Sequence, residues 1–183
     1  MKTKSFKKIF IIILLCVIVF GTVIFIVNKI KHKNKINAVY EMILENNIQH
    51  NENTDFKIQD GTIGIIKIEK INFEGIVYDG TDLGTLDKGV GHFKNTPLFD
   101  GNVALAAHNN SKFWKNLNKL NNGDEIQYTS ILGTRTYQVY SMNVINSNDW
   151  SKLENTENNT LTLITCEKGK PDLRFCVQAL EKK

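Results

Sequence analysis

The 183-residue sequence predicts a mainly β domain behind a single N-terminal transmembrane helix. Three observations carry this. Residues 9–27 run without a charge, and from Gly61 onward short runs of β-branched and aromatic residues are punctuated by Gly, Asn and Asp. The composition is 42% hydrophobic and 23% charged with only 2 Pro, which excludes collagen-like, low-complexity and wholly disordered chains and leaves room for one domain plus an appendage.

Taken in chain order, residues 1–8 form a basic tail that reads as cytoplasmic. Lys2, Lys4, Lys7 and Lys8 precede the uncharged run, and Lys29, Lys31, Lys33 and Lys35 follow it. Residues 1–35 thus hold eight lysines and no acid, whereas the rest of the chain has a net charge of −4. A nucleic-acid binder needs its cations on the folded domain, where they displace counterions from phosphates, so nucleic acid is excluded as an expected partner.

Residues 9–27 supply 19 uncharged positions, and at about 1.5 Å rise per residue they suffice for a hydrocarbon core of about 30 Å. The run exceeds the apolar region of a cleaved signal and ends in Val27, Asn28 and Lys29 rather than a small-residue cleavage site, so it reads as an uncleaved anchor. Cys16 follows Leu15 in mid-span and reads as an ordinary apolar membrane residue. The flanking lysines nearly balance under the positive-inside rule. A single span near the start, with no later hydrophobic run, favours a single-pass protein with its domain outside the cell.

Residues 28–60 are polar and rich in Lys and Asn. Val39, Met42 and Ile43 give a weak helical spacing, which fits a partly helical stalk or a solvated linker. The predicted domain covers residues 61–183. Its predicted strands are 62–68, 75–78, 102–107, 125–130, 134–144, 161–165 and 175–180, a pattern of short strands and turns that fits a barrel or a sandwich. Gly89-Val90-Gly91 reads as a turn rather than a nucleotide-binding loop. One helix is predicted over 111–120, with Phe113, Leu117 and Leu120 on one face, Ser111 at its start and Asn121-Asn122-Gly123 as its stop.

The chemistry concentrates at strand ends. Cys166 closes the run Leu161-Thr162-Leu163-Ile164-Thr165, where a rigid element presents a thiol to a cleft, although a Cys there is also read as an inert small hydrophobe. Arg174 follows eight residues on. Only Arg135 and Arg174 occur beside 21 Lys, so an Arg here can mark a need for a planar fork of donors; an ordinary surface role fits Arg135 better. His108 ends the run Val103-Ala104-Leu105-Ala106-Ala107, while His32 and His50 read as solvated and a backbone hydrogen bond suffices to explain His92. A nucleophile, a proton carrier and an oxyanion stabiliser are the parts acyl transfer needs.

These residues also carry a resemblance. Thr162-Leu163-Ile164-Thr165-Cys166 with Arg174 after it, and Ala107-His108-Asn109 before it, resemble the sortases, cysteine transpeptidases (thiol proteases by side reaction) of Gram-positive cell surfaces. The likeness runs from about residue 60 to 181. The stretch from Gly91-His92-Phe93 to Gly101-Asn102-Val103 is most similar to class D. Ala107 stands where many members have Gly.

The resemblance implies an eight-stranded β-barrel with one or two short helices. It implies that Cys166 cleaves an LPxTG-like sorting signal between Thr and Gly in an exported protein, with His108 moving protons and Arg174 steadying the oxyanion. A peptidoglycan-precursor amine would take the acyl group, with hydrolysis as a side reaction. Thr165, Ala107 and Asn109 are the expected substrate-binding residues. No cofactor is expected, and no metal either, since Glu69, Glu74 and Asp79 do not form a calcium loop.

Two other readings stand beside this one. A Cys166–Cys176 disulfide would leave a non-catalytic extracellular β-domain, and another secreted cysteine hydrolase would use the same thiol differently.

Overall fold

The computed structural model describes residues 2–49 and 59–183. The chain divides into two units, Met1–Ala38 and Val39–Lys183.

Helix α1 spans Lys2–Gln49. Its apolar stretch leaves Ile11, Leu14, Ile18, Phe25 and their neighbours exposed, as a helix meeting lipid requires. Over Ile11–Glu45 it is long and apolar enough for one membrane crossing. In the second unit, Val39 and Ile43 are buried one turn apart, and the Tyr40 hydroxyl donates to Glu74 Oε1 at 3.4 Å. The reading of residues 28–60 as a solvated linker is therefore corrected for residues 39–43. An i, i+4 apolar pair is enough to seat a helical turn on a domain. Residues 50–58, His50 among them, lie outside the described residues.

Among the described residues, eight strands close into a barrel: β1 (Thr62–Ile68), β2 (Phe73–Asp79), β3 (Val90–His92), β4 (Asn102–Ala106), β5 (Glu125–Ser130), β6 (Gly133–Asn146), β7 (Thr160–Glu167) and β8 (Lys170–Glu181). Their order around the barrel is β1-β2-β3-β4-β7-β8-β6-β5. Two neighbours are parallel, β2 with β3 and β4 with β7. Closure removes the unpaired edges that an open sheet would expose.

Alternation along the strands explains the interior. Val103 and Leu105, Ile126 and Tyr128, Tyr137 and Val139, Leu161 and Leu163, and Val177 and Ala179 all belong to one buried cluster. The intervening residues of β4 and of β7 as far as Thr165 are buried too, as is Cys176 on β8. Ala104, Ile164 and Cys176 pack with Ile145, Leu153 and Phe93 in a second cluster on the other face of those strands. Both faces of β4 and β7 are thus covered, which is why 102–107 and 161–165 read as continuous apolar runs.

Three expectations are corrected. In Gly89-Val90-Gly91 only Gly89 is a connection, capping the helix before it, and Val90–His92 is a strand rather than a turn: Val90 pairs with Val77 and Gly91 with Ala106. Gly91 is there because a Cβ would come within 2.3 Å of Gly80 O, a close approach that looks like turn chemistry in sequence. Residues 111–120 form successive turns and a 3-10 segment, Leu117–Lys119, in place of an α-helix. The apolar spacing there is Trp114, Leu117, Leu120, three residues apart, which suits three residues per turn. Helix α2 (Leu83–Lys88) went unread although Asp82 caps it, accepting from Thr85 N at 3.1 Å and from Thr85 Oγ1 at 2.6 Å.

His92 differs in detail as well. It is buried, and its ring makes contacts in addition to the backbone bond in which His92 O accepts from Gly80 N at 3.0 Å: Nδ1 lies 3.3 Å from Asp79 Oδ1 and Nε2 3.1 Å from Pro97 O.

Candidate active site

Strands β4 and β7 run parallel, so their C-terminal ends emerge side by side. Ala106 pairs with Ile164, so the chain just beyond β4 and the last residues of β7 carry His108 and Cys166 to the same end of the barrel. Three hydrogen bonds tie the two ends. Ala107 N donates to Ile164 O at 3.3 Å, Thr165 Oγ1 donates to Ala107 O at 2.7 Å, and Asn109 Nδ2 donates to Cys166 O at 2.7 Å. The turn bearing His108 is thereby fixed to the backbone of Cys166 itself.

Across the antiparallel β7–β8 pair, Cys166 lies directly opposite Arg174, which sets their Cβ atoms about 5 Å apart. The strands are joined through Lys168-Gly169, and the register shifts just after Cys166. Arg174 is half-buried, and its Nη1 donates to Pro171 O at 2.7 Å and Leu173 O at 2.9 Å. These bonds hold the guanidinium against its own strand and leave Nε and Nη2 as the fork's remaining donors.

His108, Cys166 and Arg174 line one groove with a cavity of about 320 Å³. Ala106, Phe93, Ile145 and Ile164 contribute apolar surface. Leu83 and Leu86 of α2 line it as well, as do Asp149 and Trp150 from the β6–β7 connection. Leu83 and Trp150 are largely exposed and form an apolar rim, with the Trp150 ring edge-on to Phe93 at 6.5 Å between centroids.

Of the expected substrate-binding residues, Thr165 and Ala107 line the groove. The Thr165 hydroxyl is committed to Ala107 O and the Asn109 amide to Cys166 O, so both side chains hold the site's backbone. Asp87 escaped the sequence reading. It stands at the end of α2 with Oδ1 3.1 Å from His108 Nε2, and its carbonyl accepts from Lys112 Nζ at 2.8 Å. The signal that leads to it is the Asp82-x-x-Thr85 cap, which fixes α2 and hence Asp87.

The cysteines separate clearly. Cys166 is exposed, whereas Cys176 is buried opposite Ile164, and both are free thiols. Cys176 is diagonal to Cys166, a relation that spaces side chains about 7 Å apart, too far for a bridge that needs Cβ atoms about 3.8 Å apart. Burial pushes the Cys176 thiol up to about 11, which keeps it protonated and inert near neutral pH. Arg135 lies elsewhere, bonded to Asp100 and Glu181 with its guanidinium over Phe99. Among the described residues no cluster of His, Cys, Asp and Glu suits a metal ion.

The chain is similar to known proteins in sequence and in fold. Residues 66–182 match the sortase domain model. The chain is 32% identical over 122 residues to sortase D of Bacillus subtilis (strain 168), covering 64% of this chain and 61% of that protein. It is 27% identical to sortase A of Listeria monocytogenes (strain EGD-e), covering 60% and 51%. The matched region thus spans about half to three fifths of these relatives.

Among solved structures, a Clostridium perfringens sortase D5 transpeptidase superposes with TM-score 0.68 at 26% identity, covering 83% of this chain and 98% of that one. Sortase C1 of Streptococcus agalactiae gives TM-score 0.65 at 27% identity, covering 72% and 73%. A barrel of this strand order, with Cys, His and Arg lining one groove where β4 and β7 end and β8 begins, and with the family's model matched across nearly all of it, assigns the chain to the sortase family.

Proposed function

We propose that the protein is a class D sortase, anchored in the cell membrane by residues 9–27 with its catalytic domain, residues 61–183, on the extracellular side. It cleaves LPxTG-like sorting signals between Thr and Gly. It then transfers the new acyl group to an amine of a peptidoglycan precursor, and so anchors exported proteins to the wall. The observation that carries this reading is Cys166 opposite Arg174 across β7–β8, with His108 in the same groove. The similarity to sortase D supports the subclass.

In the first half-reaction the Cys166 thiolate attacks the Thr carbonyl carbon, and a C–S bond forms. The oxyanion of the tetrahedral intermediate is met by the remaining donors of Arg174, which are already fixed and need no reorganisation. Collapse breaks the C–N bond, and His108 as imidazolium gives its proton to the departing Gly amine. In the second half-reaction the acceptor amine attacks the thioester, its proton passes to His108, and the thiolate is released. Water in place of the amine gives hydrolysis.

Asp87 Oδ1 lies 3.1 Å from Nε2 of His108, a hydrogen-bonding distance that orients the ring. Its side chain is 76% exposed, so the pair is screened by solvent and its effect is small. Asp87→Asn is expected to lower kcat/KM for a sorting-signal peptide by about two- to fivefold, measured by peptide cleavage in low salt. A loss beyond a hundredfold would mean that Asp87 takes a direct part in proton transfer.

The function itself is tested by incubating the full chain in detergent with a Leu-Pro-x-Thr-Gly peptide and recording intact mass. A thioester adduct mapped to Cys166, discharged by an added amine with formation of the amide product, is the expected result. Absence of any adduct under conditions that cleave the peptide would overturn the mechanism.

A further inference from the structure

The β6–β7 connection, residues 147–159, carries Asp149 and Trp150 to the groove, yet its strongest attachments lie at the far end of β4 from His108. Asn102 at the start of β4 is buried to 1% exposure. Its Nδ2 donates to Lys152 O at 2.9 Å and to Glu154 O at 2.8 Å, and its Oδ1 accepts from Thr162 Oγ1 at 2.8 Å. The backbone continues the pattern. Asn102 N donates to Asn155 Oδ1 at 3.0 Å, and Gly101 N donates to Asn159 Oδ1 at 2.9 Å.

Gly101 is itself shaped to this contact. Its φ is +80°, and a Cβ there would come within 2.1 Å of Asn155 Oδ1. Leu153, between the two carbonyls that Asn102 holds, is buried against Ala104, Ile164 and Cys176, beneath the groove. Asn102 at the start of β4 and Gly101 just before it therefore grip positions 152, 154, 155 and 159 of one loop, and a buried apolar side chain seats it. Asn fits the role because its planar amide presents two donors and one acceptor from one group. Asp would set lone pairs against both carbonyls.

We propose that Gly101-Asn102 is a latch that sets the conformation of the β6–β7 loop and, through Trp150 and Asp149, the affinity of the groove for its peptide. Asn102 is a positioning residue in this scheme, remote from the reacting atoms. The affinity role rests on the sortase reading above; the latch itself rests on the hydrogen bonds alone.

Loosening the latch weakens peptide binding and spares the thiol chemistry, since the bonds that tie His108 to Cys166 lie at the other end of the strands. Asn102→Asp removes both donors. Because a buried substitution can compromise folding, Asn155→Ala is the second variant: Asn155 is exposed, and the change deletes one acceptor. Asn155→Asp, which keeps an acceptor oxygen for Asn102 N, is the rescue.

The experiment uses the full chain in detergent with a Leu-Pro-x-Thr-Gly peptide as probe, amide hydrogen exchange over residues 147–159, and alkylation of Cys166 by iodoacetamide. A single hydrogen bond of ordinary net strength corresponds to about a two- to tenfold change. Asn155→Ala is therefore expected to raise loop exchange and KM by about that factor, with kcat and the alkylation rate within about twofold and with Asn155→Asp near the unsubstituted protein. Unchanged exchange in Asn155→Ala and Asn102→Asp would overturn the latch. Faster exchange with unchanged KM would overturn its role in binding. If the unsubstituted protein turns over no such peptide, the sorting-signal reading falls, and the exchange measurement still decides whether the latch exists.

Discussion

Cys166→Ala is expected to abolish the thioester adduct and to lower peptide turnover by at least about four orders of magnitude, because no other group in the groove supplies a comparable nucleophile. Cys166 is exposed at the end of β7 and contributes nothing to either buried cluster. Its removal should therefore leave the melting temperature close to that of the unsubstituted protein. The contrast is Cys176→Ala. That side chain is buried beside Ile164 and Ile145, so its truncation should cost about 1 kcal/mol of stability while most turnover is kept. Measured together by calorimetry and peptide cleavage, the two variants separate chemistry from packing. Residual turnover in Cys166→Ala above about one per cent would remove the thiol from the mechanism.

The two cysteines also show what a sequence can and cannot convey. Strand alternation puts Cys176 and Arg174 on the same face of β8, and it leaves open whether Cys176 faces Cys166. The register decides: Cys166 opposes Arg174, and Cys176 opposes Ile164 two positions on. Register in this hairpin is set by where the Lys168-Gly169 turn and the irregularity after Cys166 fall, which strand alternation alone does not encode.

Strands 62–68 and 125–130 were legible to the residue because β-branched runs with Gly or Asn at their borders need no tertiary information. β3 was not, since its three residues include a glycine present for close packing. The turns after His108 read as a helix because apolar spacings of three and four overlap, and only the packing of Trp114 selected three.

At the site, the types of Cys166, His108 and Arg174 stood out in sequence by their placement at strand ends. Asp87 and Asn102 did not. Each acts through a partner 21 or more residues away, Asp87 through His108 and Asn102 through the 152–155 segment, so neither has a local signature.

Arg174→Lys is expected to cost about 10²–10³ in kcat with a much smaller change in KM. A lysine would keep the positive charge opposite Cys166, so a loss of this size measures what charge alone does not supply. In the structure Arg174 already spends Nη1 on the Pro171 and Leu173 carbonyls, at 2.7 and 2.9 Å, and these bonds orient the fork. The planar group can do this and still offer Nε and Nη2 to an oxyanion, because its five donors are fixed in one plane. An ammonium has three donors on a flexible stem. If it satisfies both carbonyls, at most one remains for the substrate; if it turns to the substrate, nothing holds it in place. Alkylation of Cys166 by iodoacetamide, which forms no tetrahedral oxyanion, should proceed in Arg174→Lys within about fivefold of the unsubstituted rate, since the neighbouring cation persists. Single-turnover acylation by the peptide should carry the full loss. Acylation within about fivefold of normal would reduce Arg174 to a point charge, and the oxyanion would then need another donor in the groove.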